Sequence, residues 1–403
     1  MNKIEKLLNE LCPNGVEFKS LGEVANFRRG SFPQPYTKTE WYGGEDSAPF
    51  VQVADVGDNM KLTETTKQTI SKIAQSKSVF VPKNTVIVTL QGSIGRVAIT
   101  QYDSYVDRTL AIFQSYKIPI NIKFFAYVLF MKFDEEKKKA RGGIIKTITV
   151  EEFKQFQIPI PPLKIQEEIV KILDAFTELE AELEAELEAR RRQYEYYRNK
   201  LLSFEYLKTN GGGYKLKMLG EICERQKGIN ITAGEMEKIA IQNGDIRIFA
   251  GGKTFIDTKM ELLQEQNILK KTSIIVKSRG YVDFEYYAKP FTHKNELWSY
   301  SLNPDTKDIN LKFIFYYLKN KVEYFQKIAR ANAVKIPQLA VADTDRFQIP
   351  IPSLATQEKI VNILDQFHAL TTDLQSGIPA EIEARKKQYE YYRNQLLTFK
   401  EAI

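Results

Sequence analysis

The chain has 403 residues, 43% of them hydrophobic and 27% charged, which is the composition of a globular protein too long for one ordinary core. Two cysteines are too few for a disulfide framework or a zinc site, and no Cys/His spacing fits a metal. No apolar run is long enough to cross a membrane, and the N-terminal segment lacks the continuous apolar core of a signal peptide, so we expect a cytoplasmic protein. The net charge of +7 permits an anionic partner without requiring one.

The first segment, residues 1–15, predicts a short amphipathic helix over residues 2–12. The apolar residues on one side of that helix are Ile4, Leu7, Leu8 and Leu11. Its Leu-Leu pair precedes an LGEV sequence at 21–24, as the Leu-Leu pair at 201–202 precedes LGEI at 219–222. We therefore interpret the first segment as the tail end of a helix that recurs later in the chain.

Residues 16–156 predict the first globular domain. Its strand candidates are β-branched runs bounded by Gly, Pro and Asn, at residues 49–55, 79–81 and 86–90. Residues 121–139 then follow a helical pattern, which Gly142 and Gly143 end.

A long stretch at residues 157–213 recurs at residues 348–403. The copies align at an offset of 191 residues up to Asp365 and at 195 from Glu383 onward, so the second copy has four extra residues. Four residues are about one helical turn, which keeps the apolar stripe nearly in phase. Apolar residues at steps of three and four predict two long helices that pair as an intramolecular antiparallel coiled coil.

Two details refine the prediction of paired helices. The tyrosines expected on the seam between them are Tyr194, Tyr197, Tyr389 and Tyr392. Gly377 and Pro379 predict a break in the second helix near Ser376, with Pro379 starting a new helix.

Residues 214–347 predict the second globular domain. Its strand candidates are at residues 246–249, 273–276 and 297–302. Its last part, residues 310–335, aligns without gaps to residues 121–146, whereas the two domains diverge strongly before that part. We interpret them as two versions of one module that hold different targets.

Three sequence features carry a resemblance to a known family. The IPIPP segment followed by QEEIV and ILD, the EARRRQYEYYRN helix end and the LCPNGVEFKSLGEV opening resemble the specificity subunits of type I restriction–modification systems. The resemblance covers the whole chain in architecture, and residues 157–204 and 348–399 in motif. It implies an α/β (α+β) fold with two target recognition domains separated by two long conserved helices, which form an antiparallel coiled coil with pseudo-two-fold symmetry.

The resemblance also implies a function in which this chain is not an enzyme. In that family each globular domain reads one half of a bipartite site in double-stranded DNA, and the helices set the distance between the domains. A helix over residues 166–204 would be about 58 Å long. The helices also dock two methyltransferase subunits, with which restriction subunits form the nuclease, and no membrane is involved. We accordingly expect no cofactor in this chain, because S-adenosylmethionine, ATP and magnesium would belong to the partner subunits.

The best candidates for DNA contact are loops that follow a strand and combine glycine with basic or amide residues, because such side chains read base edges. Residues 91–96 and residues 277–281 are two such loops, at equivalent places in the two domains. The predicted contacts are Gln91, Ser93, Arg96, Lys277, Ser278, Arg279 and Tyr281. A solvated hairpin turn is the alternative for each loop.

A second group follows the helix that the two domains share, where Arg and Lys in both copies suit contacts to phosphate. Its members are Arg141, Lys146, Arg330, Lys335 and Gln338. Weaker candidates, which ordinary surface charge explains equally well, are Arg28, Arg29, Tyr36, Lys38, Arg225, Lys227, Arg247 and Lys253.

Four residues of the long helices fall off the predicted seam. They are Tyr196, Arg198, Tyr391 and Arg393. Exposed Tyr and Arg are frequent interface anchors, so we assign these residues to the methyltransferase subunits. A solvated helix face is the alternative.

Enzymatic activity of the chain itself finds little support in the sequence. Residues 251–254 (GGKT) imitate the end of a phosphate loop, but Arg247 stands where the first glycine of that motif belongs. His293 and His368 lie in different segments, and the Asn-Pro-Pro-aromatic signature of an amino-methyltransferase is absent. The alternative functions are a coiled-coil interaction or scaffold protein that binds no DNA, and a stand-alone nuclease.

Overall fold

The structure is a computed structural model that describes residues 3–57, 59–139, 148–333, 335–373 and 377–402. Its helices are α1 Lys3–Leu11, α2 Leu21–Val24, α3 Lys72–Gln75, α4 Ile122–Lys139, α5 Val150–Lys154, α6 Leu163–Leu201, α7 Phe204–Thr209, α8 Leu219–Ile222, α9 Ala233–Ile239, α10 Leu311–Lys319, α11 Val322–Ala331, α12 Val341–Asp345, α13 Leu354–Thr372 and α14 Ile378–Leu397.

Its strands are β1 Phe18–Ser20, β2 Ala25–Arg29, β3 Ala48–Val51, β4 Gln68–Ile70, β5 Val79–Val81, β6 Val86–Thr89, β7 Val97–Ile99, β8 Ser104–Val106, β9 Leu110–Tyr116, β10 Gln157–Pro159, β11 Lys215–Met218, β12 Cys223–Lys227, β13 Ile246–Phe249, β14 Phe255–Thr258, β15 Ser273–Lys277, β16 Asp283–Tyr287, β17 Phe291–His293, β18 Trp298–Leu302 and β19 Gln348–Ile351.

The chain divides into two compact units. The first comprises residues 1–182 and 382–403, and the second comprises residues 183–381. Helix α6 belongs to the first unit up to Glu182, and helix α14 belongs to it from Ile382 onward. The two helical repeats are α6 and the pair formed by α13 and α14. Each unit therefore holds one end of each helical repeat and one globular domain, which we call its head. The first head contains β1 to β10, and the second contains β11 to β19.

The first head is built from two main sheets. Strands β2, β9, β6 and β7 form an antiparallel sheet, and β4, β3, β8 and β5 form a second sheet in which β3 and β8 run parallel. Val86 and Val88 of β6 pack in the cluster that includes α4, whereas Ile87 packs with Val51 of the second sheet. This alternation follows from the two-residue period of a strand, and it explains why every residue of β6 is buried.

The second head repeats this arrangement. Strands β12, β18, β15 and β16 form its antiparallel sheet, and β14, β13 and β17 form a second sheet in which β13 and β17 run parallel. Ile274 and Val276 of β15 pack in the cluster that includes α10, whereas Ile275 packs with Phe249 of the second sheet. Corresponding strands keep the same order in both heads, which confirms the prediction of one module used twice.

One predicted strand differs from the structure. Residues 49–55 were expected to be extended, but β3 ends at Val51 and a 3₁₀ turn follows over Val53–Asp55. The cause is Asp55, whose buried carboxylate accepts from the amide of Gln52 at 2.8 Å and from that of Lys67 at 2.9 Å. These two bonds fold the chain back instead of extending the strand.

The long helices agree with the predicted periodicity, with one shift in position. Helix α6 is continuous over 39 residues, but it begins at Leu163 and ends at Leu201, three residues earlier than predicted. A separate helix α7 starts at Phe204, because Ser203 caps it by accepting from the amide of Tyr206 at 3.2 Å. None of the described helices is both long and apolar enough to cross a membrane.

The second helical repeat is interrupted, as predicted. Helix α13 ends at Thr372, and α14 begins at Ile378 with Pro379 in its first turn. Proline is tolerated there because the first-turn amides have no partner within the helix. Ser376, near which the break was predicted, lies outside the described residues.

The two helical repeats pack against each other within each unit. In the first unit Phe176 of α6 stacks on Tyr392 of α14, with ring centroids 5.5 Å apart, and Glu180 pairs with Lys386 at 3.2 Å. Residue numbers rise along one helix while they fall along the other, so the pairing is antiparallel. In the second unit Phe367 stacks on Tyr197 in the same way at 5.6 Å.

Each head is attached to its helix by a buried glutamine. Gln166 accepts from the amide of Asn121 at 2.8 Å and donates to the carbonyl of Pro161 at 2.7 Å. In the second unit Gln357 accepts from the amide of Asn310 at 2.9 Å and donates to the carbonyl of Pro352 at 2.9 Å.

A carboxylate on each helix makes a second attachment. Asp174 accepts from Lys123 Nζ at 2.5 Å and from the Tyr127 hydroxyl at 3.3 Å. The corresponding partners of Asp365 in the second unit are Lys312 Nζ at 2.7 Å and the Tyr316 hydroxyl at 2.5 Å.

Candidate nucleic-acid interface and helix surfaces

One end of the antiparallel sheet in the first head gathers several polar segments. Strand β2 ends there at Arg29, β6 ends there at Thr89, and β9 begins there at Leu110. The loop after β6 is joined to the segment before β9, because the amide of Leu90 donates to the carbonyl of Thr109 at 2.8 Å. The first predicted contact loop and Arg29 therefore lie at the same end of the sheet.

The predicted contact loop at residues 91–96 connects β6 to β7. The side chains of Gln91 and Ser93 are exposed. Arg96 is half-buried, and its Nη1 donates to the carbonyl of Val56 at 3.2 Å. Arg96 thus helps to hold the loop in place, and Gln91 and Ser93 are the residues that face solvent.

The two arginines that end β2 differ in exposure. Arg28 is exposed, and its Nε donates to the carbonyl of Arg29 at 3.3 Å. Arg29 is half-buried, and its Nε has no hydrogen-bond partner among the described residues. The fold places both of these weaker candidates near the loop at residues 91–96.

A buried carboxylate organises the same sheet end. Asp107, directly after β8, accepts from the Tyr36 hydroxyl at 2.5 Å and from the amide of Thr109 at 2.9 Å. Burial and the bond to Asp107 raise the pKa of Tyr36, so its hydroxyl stays protonated and donates. The guanidinium of exposed Arg108 lies 5.2 Å from the Tyr36 ring centroid.

Two lysines stand beside these groups. The Nζ atoms of exposed Lys38 and Lys77 lie 5.1 and 4.8 Å from the ring centroid of buried Trp41. Lys77 is tied to the sheet end by Ser31, whose hydroxyl donates to its carbonyl at 3.3 Å and whose amide bonds to the end of β8 at 3.1 Å. We call Lys38, Lys77 and Arg108 the first basic patch.

Sequence reasoning missed two members of the first basic patch. Arg108 follows Asp107, and the pair reads locally as a turn with opposite charges. Lys77 lies in a short polar segment between strand candidates. Only the tertiary contacts with aromatic rings distinguish them from ordinary surface charge.

The equivalent sheet end of the second head gathers the ends of β12 and β15 and the start of β18. The segment before β18 is held to the chain after β12, because the amide of Asn295 donates to the carbonyl of Ile229 at 2.9 Å. Of the weaker candidates, Lys227 is exposed here and Arg225 pairs with Asp345 at 3.6 Å.

Two predicted contacts in the second head do not fit a surface role. Lys277 is buried, pairs with Glu285 at 3.3 Å and lies with its Nζ 4.5 Å from the Phe249 ring centroid. Burial lowers the pKa of this lysine, despite the neighbouring carboxylate. Ser278 is fully buried and donates to the carbonyl of Glu296. The prediction of direct DNA contact by Lys277 and Ser278 is therefore wrong for the observed conformation.

Arg279 and Tyr281 of this loop are exposed, and the loop meets the second predicted group. Arg279 forms an isolated β-bridge with Gln338, and the amide of Gly280 donates to the carbonyl of Pro337 at 2.8 Å. The side chain of Tyr281 is 66% exposed. The fold thus joins two segments that the sequence analysis predicted as separate groups of DNA contacts.

Two further candidates lie along the same chain segment. Arg330 is exposed in the last turn of α11, and Lys335 is exposed shortly after it. The amide of Gln338 donates to the carbonyl of Ala329 at 3.1 Å, which ties this segment to the helix end. We call Arg279, Arg330 and Lys335 the second basic patch.

The GGKT segment at residues 251–254 is a hairpin turn between β13 and β14, with Lys253 exposed. A phosphate loop joins a strand to a helix, so this segment is not one. Arg247 makes two bonds to the Asp257 carboxylate, at 2.7 and 3.0 Å, and lies 3.9 Å from the Phe255 ring centroid. Arg247 is therefore occupied within the head, whereas Lys253 stays a candidate.

Arg141 and Lys146 fall within residues 140–147, which lie outside the described part of the chain. Their predicted contacts with phosphate stay predictions.

The predicted anchors on the long helices separate into two kinds. Tyr196 is 59% exposed and Tyr391 is 58% exposed, as the prediction of a partner surface requires. Arg198 and Arg393, in contrast, are half-buried. The Nε atom of each is buried and has no hydrogen-bond partner among the described residues. The Arg393 guanidinium lies 4.9 Å from the ring centroid of Phe130 in α4. Both arginines are therefore partly enclosed by the chain, and their contact with the methyltransferase subunits stays a prediction.

His293 has structural surroundings, whereas His368 is exposed on α13. His293 is fully buried, its Nε2 lies 3.1 Å from Ser299 Oγ, and its Nδ1 lies 3.1 Å from the carbonyl of Lys294. Burial lowers the pKa of His293 to about 4, so the ring is neutral near pH 7. Within the described ranges, no cluster of His, Cys, Asp and Glu could hold a metal ion.

Both halves of the sequence match the model of a known domain family. The sequence matches the type I restriction modification DNA specificity domain at residues 13–189 and again at residues 212–384. The chain belongs to this family. The double match agrees with the repeated head, and it does not favour the alternative of a scaffold protein that binds no DNA.

Individual members of the specificity family resemble the chain over much of its length. The chain is 30% identical over 269 residues to the EcoR124I/EcoR124II specificity subunit of Escherichia coli. This alignment covers 62% of the chain and 65% of that subunit, so the chain spans slightly less than two thirds of the subunit's length. It is 28% identical over 392 residues to the EcoprrI specificity subunit of Escherichia coli, which covers 93% of this chain and 92% of that subunit.

A solved structure shows the same fold. The S subunit of a type I restriction–modification system from M. genitalium superposes with a TM-score of 0.56 at 18% identity, over 95% of this chain and 96% of that chain. The predicted α/β fold with two heads and long helices is thereby confirmed.

Proposed function

We infer that this chain is the DNA-reading specificity subunit of a type I restriction–modification system. Each head reads one half of a bipartite site in double-stranded DNA. One observation carries this inference. The two heads share one fold, yet the side chains exposed at the corresponding end of their antiparallel sheets differ. These side chains are Gln91, Ser93 and Arg108 in the first head and Arg279, Tyr281 and Gln338 in the second.

Unlike side chains at corresponding sheet ends are what a bipartite reader requires. Base pairs differ in the hydrogen-bond donors and acceptors that they present in the major groove, so different side chains select different sequences. Lys77, Lys335 and Arg330 of the two basic patches supply contacts to phosphate, which hold the heads on the duplex without selecting a sequence.

The chain itself is not catalytic and recruits the enzymes of the system. Two methyltransferase subunits bind the long helices, with Tyr196 and Tyr391 as anchors, and restriction subunits join them. The support for these anchors is that both tyrosines are more than half exposed at equivalent positions of the two repeats. Adenine methylation and ATP-dependent cleavage then belong to the partners, as do S-adenosylmethionine, ATP and magnesium.

Exchange of one head tests the proposed function. Residues 16–156 would be replaced by the corresponding domain of another family member, and the chain would be expressed with its methyltransferase subunits. Methylation-sensitive sequencing of host DNA should show a change in one half of the modified site only. The reciprocal exchange of residues 214–347 should change the other half. A change in both halves from either exchange would contradict the assignment.

Duplex binding separates the proposal from the scaffold alternative. The complex with methyltransferase subunits should bind DNA with an affinity that falls steeply as salt rises, because bound phosphates release counterions. Salt-independent binding, or none, would favour the scaffold protein.

A further inference from the structure

We propose that Arg108 is a specificity-determining residue of the first head and reads a guanine in the half-site that this head contacts. The proposal rests on the proposed function and adds the base and the residue that reads it. It also assigns Tyr36 and Asp107 as positioning residues that hold Arg108 in place.

The position of Arg108 is the first argument. It follows β8 and precedes β9, so it lies at the sheet end that also carries the loop at residues 91–96. The hydrogen bond from the amide of Leu90 to the carbonyl of Thr109, at 2.8 Å, joins the two segments directly. A duplex that contacts exposed Gln91 and Ser93 is therefore within reach of the long Arg108 side chain.

The preorganisation of Arg108 is the second argument. Its guanidinium lies 5.2 Å from the Tyr36 ring centroid, which is a cation–π contact. The Tyr36 ring cannot turn away freely, because its hydroxyl donates to buried Asp107 at 2.5 Å and its face stacks on Phe32 at 5.0 Å between centroids. A side chain that is already ordered loses less conformational entropy when it binds.

The chemistry of the guanidinium is the third argument. A guanidinium carries five N–H donors, so its contact with Tyr36 still leaves donors for a base. Two parallel N–H donors match the O6 and N7 acceptors of guanine, and this bidentate pair is the commonest specific contact in the major groove. Lys77, in the same patch, carries a point charge that suits phosphate instead, whereas Lys38 pairs with Glu40 at 3.1 Å.

The second head differs at the equivalent place. The segment between β17 and β18 carries Lys294, which pairs with Glu296 at 3.5 Å. The nearby Lys277 pairs with Glu285 at 3.3 Å and is buried. Carboxylates within that head neutralise these cations, whereas Arg108 contacts a neutral ring. This contrast is expected if only the first head reads guanine from this segment.

The test uses the full chain with its methyltransferase subunits and duplexes that carry the site found by sequencing of host DNA. Each base pair of the half-site assigned to the first head is substituted in turn. Arg108→Ala should weaken binding to the native site about 10- to 100-fold and make one guanine position nearly neutral, with the other half-site unchanged. Because Arg108 is exposed, the thermal unfolding midpoint should stay the same.

Three further variants separate base reading from charge. Arg108→Lys keeps the charge but lacks the planar fork, so it should keep the salt dependence and weaken the guanine preference. Lys77→Ala should weaken binding to all sequences alike and reduce the salt slope by about one. Tyr36→Phe keeps the ring but removes the bond to Asp107, so it should reduce discrimination at the same guanine without changing the salt slope.

Two results would overturn the proposal. One is an equal loss on all sequences for Arg108→Ala that Arg108→Lys restores, because Arg108 would then contact phosphate. The other is unchanged discrimination at every position. A wild-type complex without any preference for a bipartite site would instead remove the proposed function, and this inference with it.

Discussion

Several polar side chains of the second head are buried among partners that neutralise or bind them. Lys277 pairs with Glu285, and His293 lies against Ser299 with its ring neutral. Charges and imidazoles are costly to bury without such partners, since water no longer solvates them. The residues left for a ligand are the exposed ones, among them Arg279 and Tyr281.

The neutral state of His293 predicts how the stability of the second head depends on pH. The folded-state pKa is about 4, below the ordinary value of about 6.5, so the unfolded chain binds more protons as pH falls. The stabilising contribution is fully present above about pH 6.5 and is lost as pH falls towards 4. Between pH 7 and 5.5 the loss should be about 1 kcal/mol in the free energy of unfolding.

Urea denaturation followed by Trp298 fluorescence in a Trp41→Phe background measures this loss, because Trp298 lies in the second head. A His293→Gln variant is the control, since its side chain does not titrate and its stability should change less over the same pH range. Parallel pH dependence in both proteins would contradict the assignment.

The exposed tyrosines predict where the methyltransferase subunits bind. Tyr196→Ala or Tyr391→Ala should weaken association with one methyltransferase subunit about 10-fold or more, because buried tyrosines often dominate interfaces. Native mass spectrometry of the assembled complex would show subunit loss. Glu195→Ala and Glu390→Ala, at exposed neighbouring positions, are the matched controls and should leave the complex intact.

At the scale of elements, each head is attached to its helix by the same pair of side chains, a glutamine and an aspartate. Gln166 and Gln357 are nearly inaccessible, and each joins the start of a head helix to the start of a long helix. These bonds satisfy amides at helix ends, which otherwise have no partner within the helix. These polar contacts act together with apolar packing between head and helix, in which Ile169 of α6 shares a buried cluster with Phe124 of α4.

Removal of one of these glutamines should destabilise one head selectively. Gln357→Ala leaves the amide of Asn310 and the carbonyl of Pro352 without their partner, which should cost about 1–3 kcal/mol. Denaturation reported by Trp298 should shift to lower urea concentration. Gln166→Ala should instead shift the transition reported by Trp41, and a shift of both signals by either variant would argue against local attachment.

At the scale of the whole molecule, an unbroken helix contributes residues to both units. Helix α6 runs without interruption from Leu163 to Leu201, whereas the second repeat breaks between α13 and α14. A continuous helix transmits a change of length, since each residue adds about 1.5 Å.

Lengthening α6 should therefore change the spacing of the two half-sites. One further ELEA unit after Ala185 adds about 6 Å, which corresponds to about one or two base pairs of unread spacer. Methylation-sensitive sequencing should find both half-sites unchanged and the spacer longer. Glu184→Ala changes composition but not length and should leave the spacer as it is; an unchanged spacer in the lengthened protein would rule out α6 as the element that sets it.

The sequence by itself determined the repeat, the periodicity of the long helices, the break at Pro379 and six of the nineteen strands that the described residues form. These signals are local, because a helix stripe or a β-branched run is complete within a few neighbouring residues. The family resemblance was also evident, since its motifs lie in the repeated segments at residues 157–204 and 348–399.

Only the tertiary structure decided which basic side chains face solvent and which ones meet. Arg108 became a candidate because the fold places its guanidinium against the ring of Tyr36. Tyr36 lies 71 residues before Asp107, to which its hydroxyl donates. Lys277 ceased to be one when the fold buried it beside Glu285. Burial and contact between distant segments depend on how the strands pair, and no short stretch of sequence carries that information.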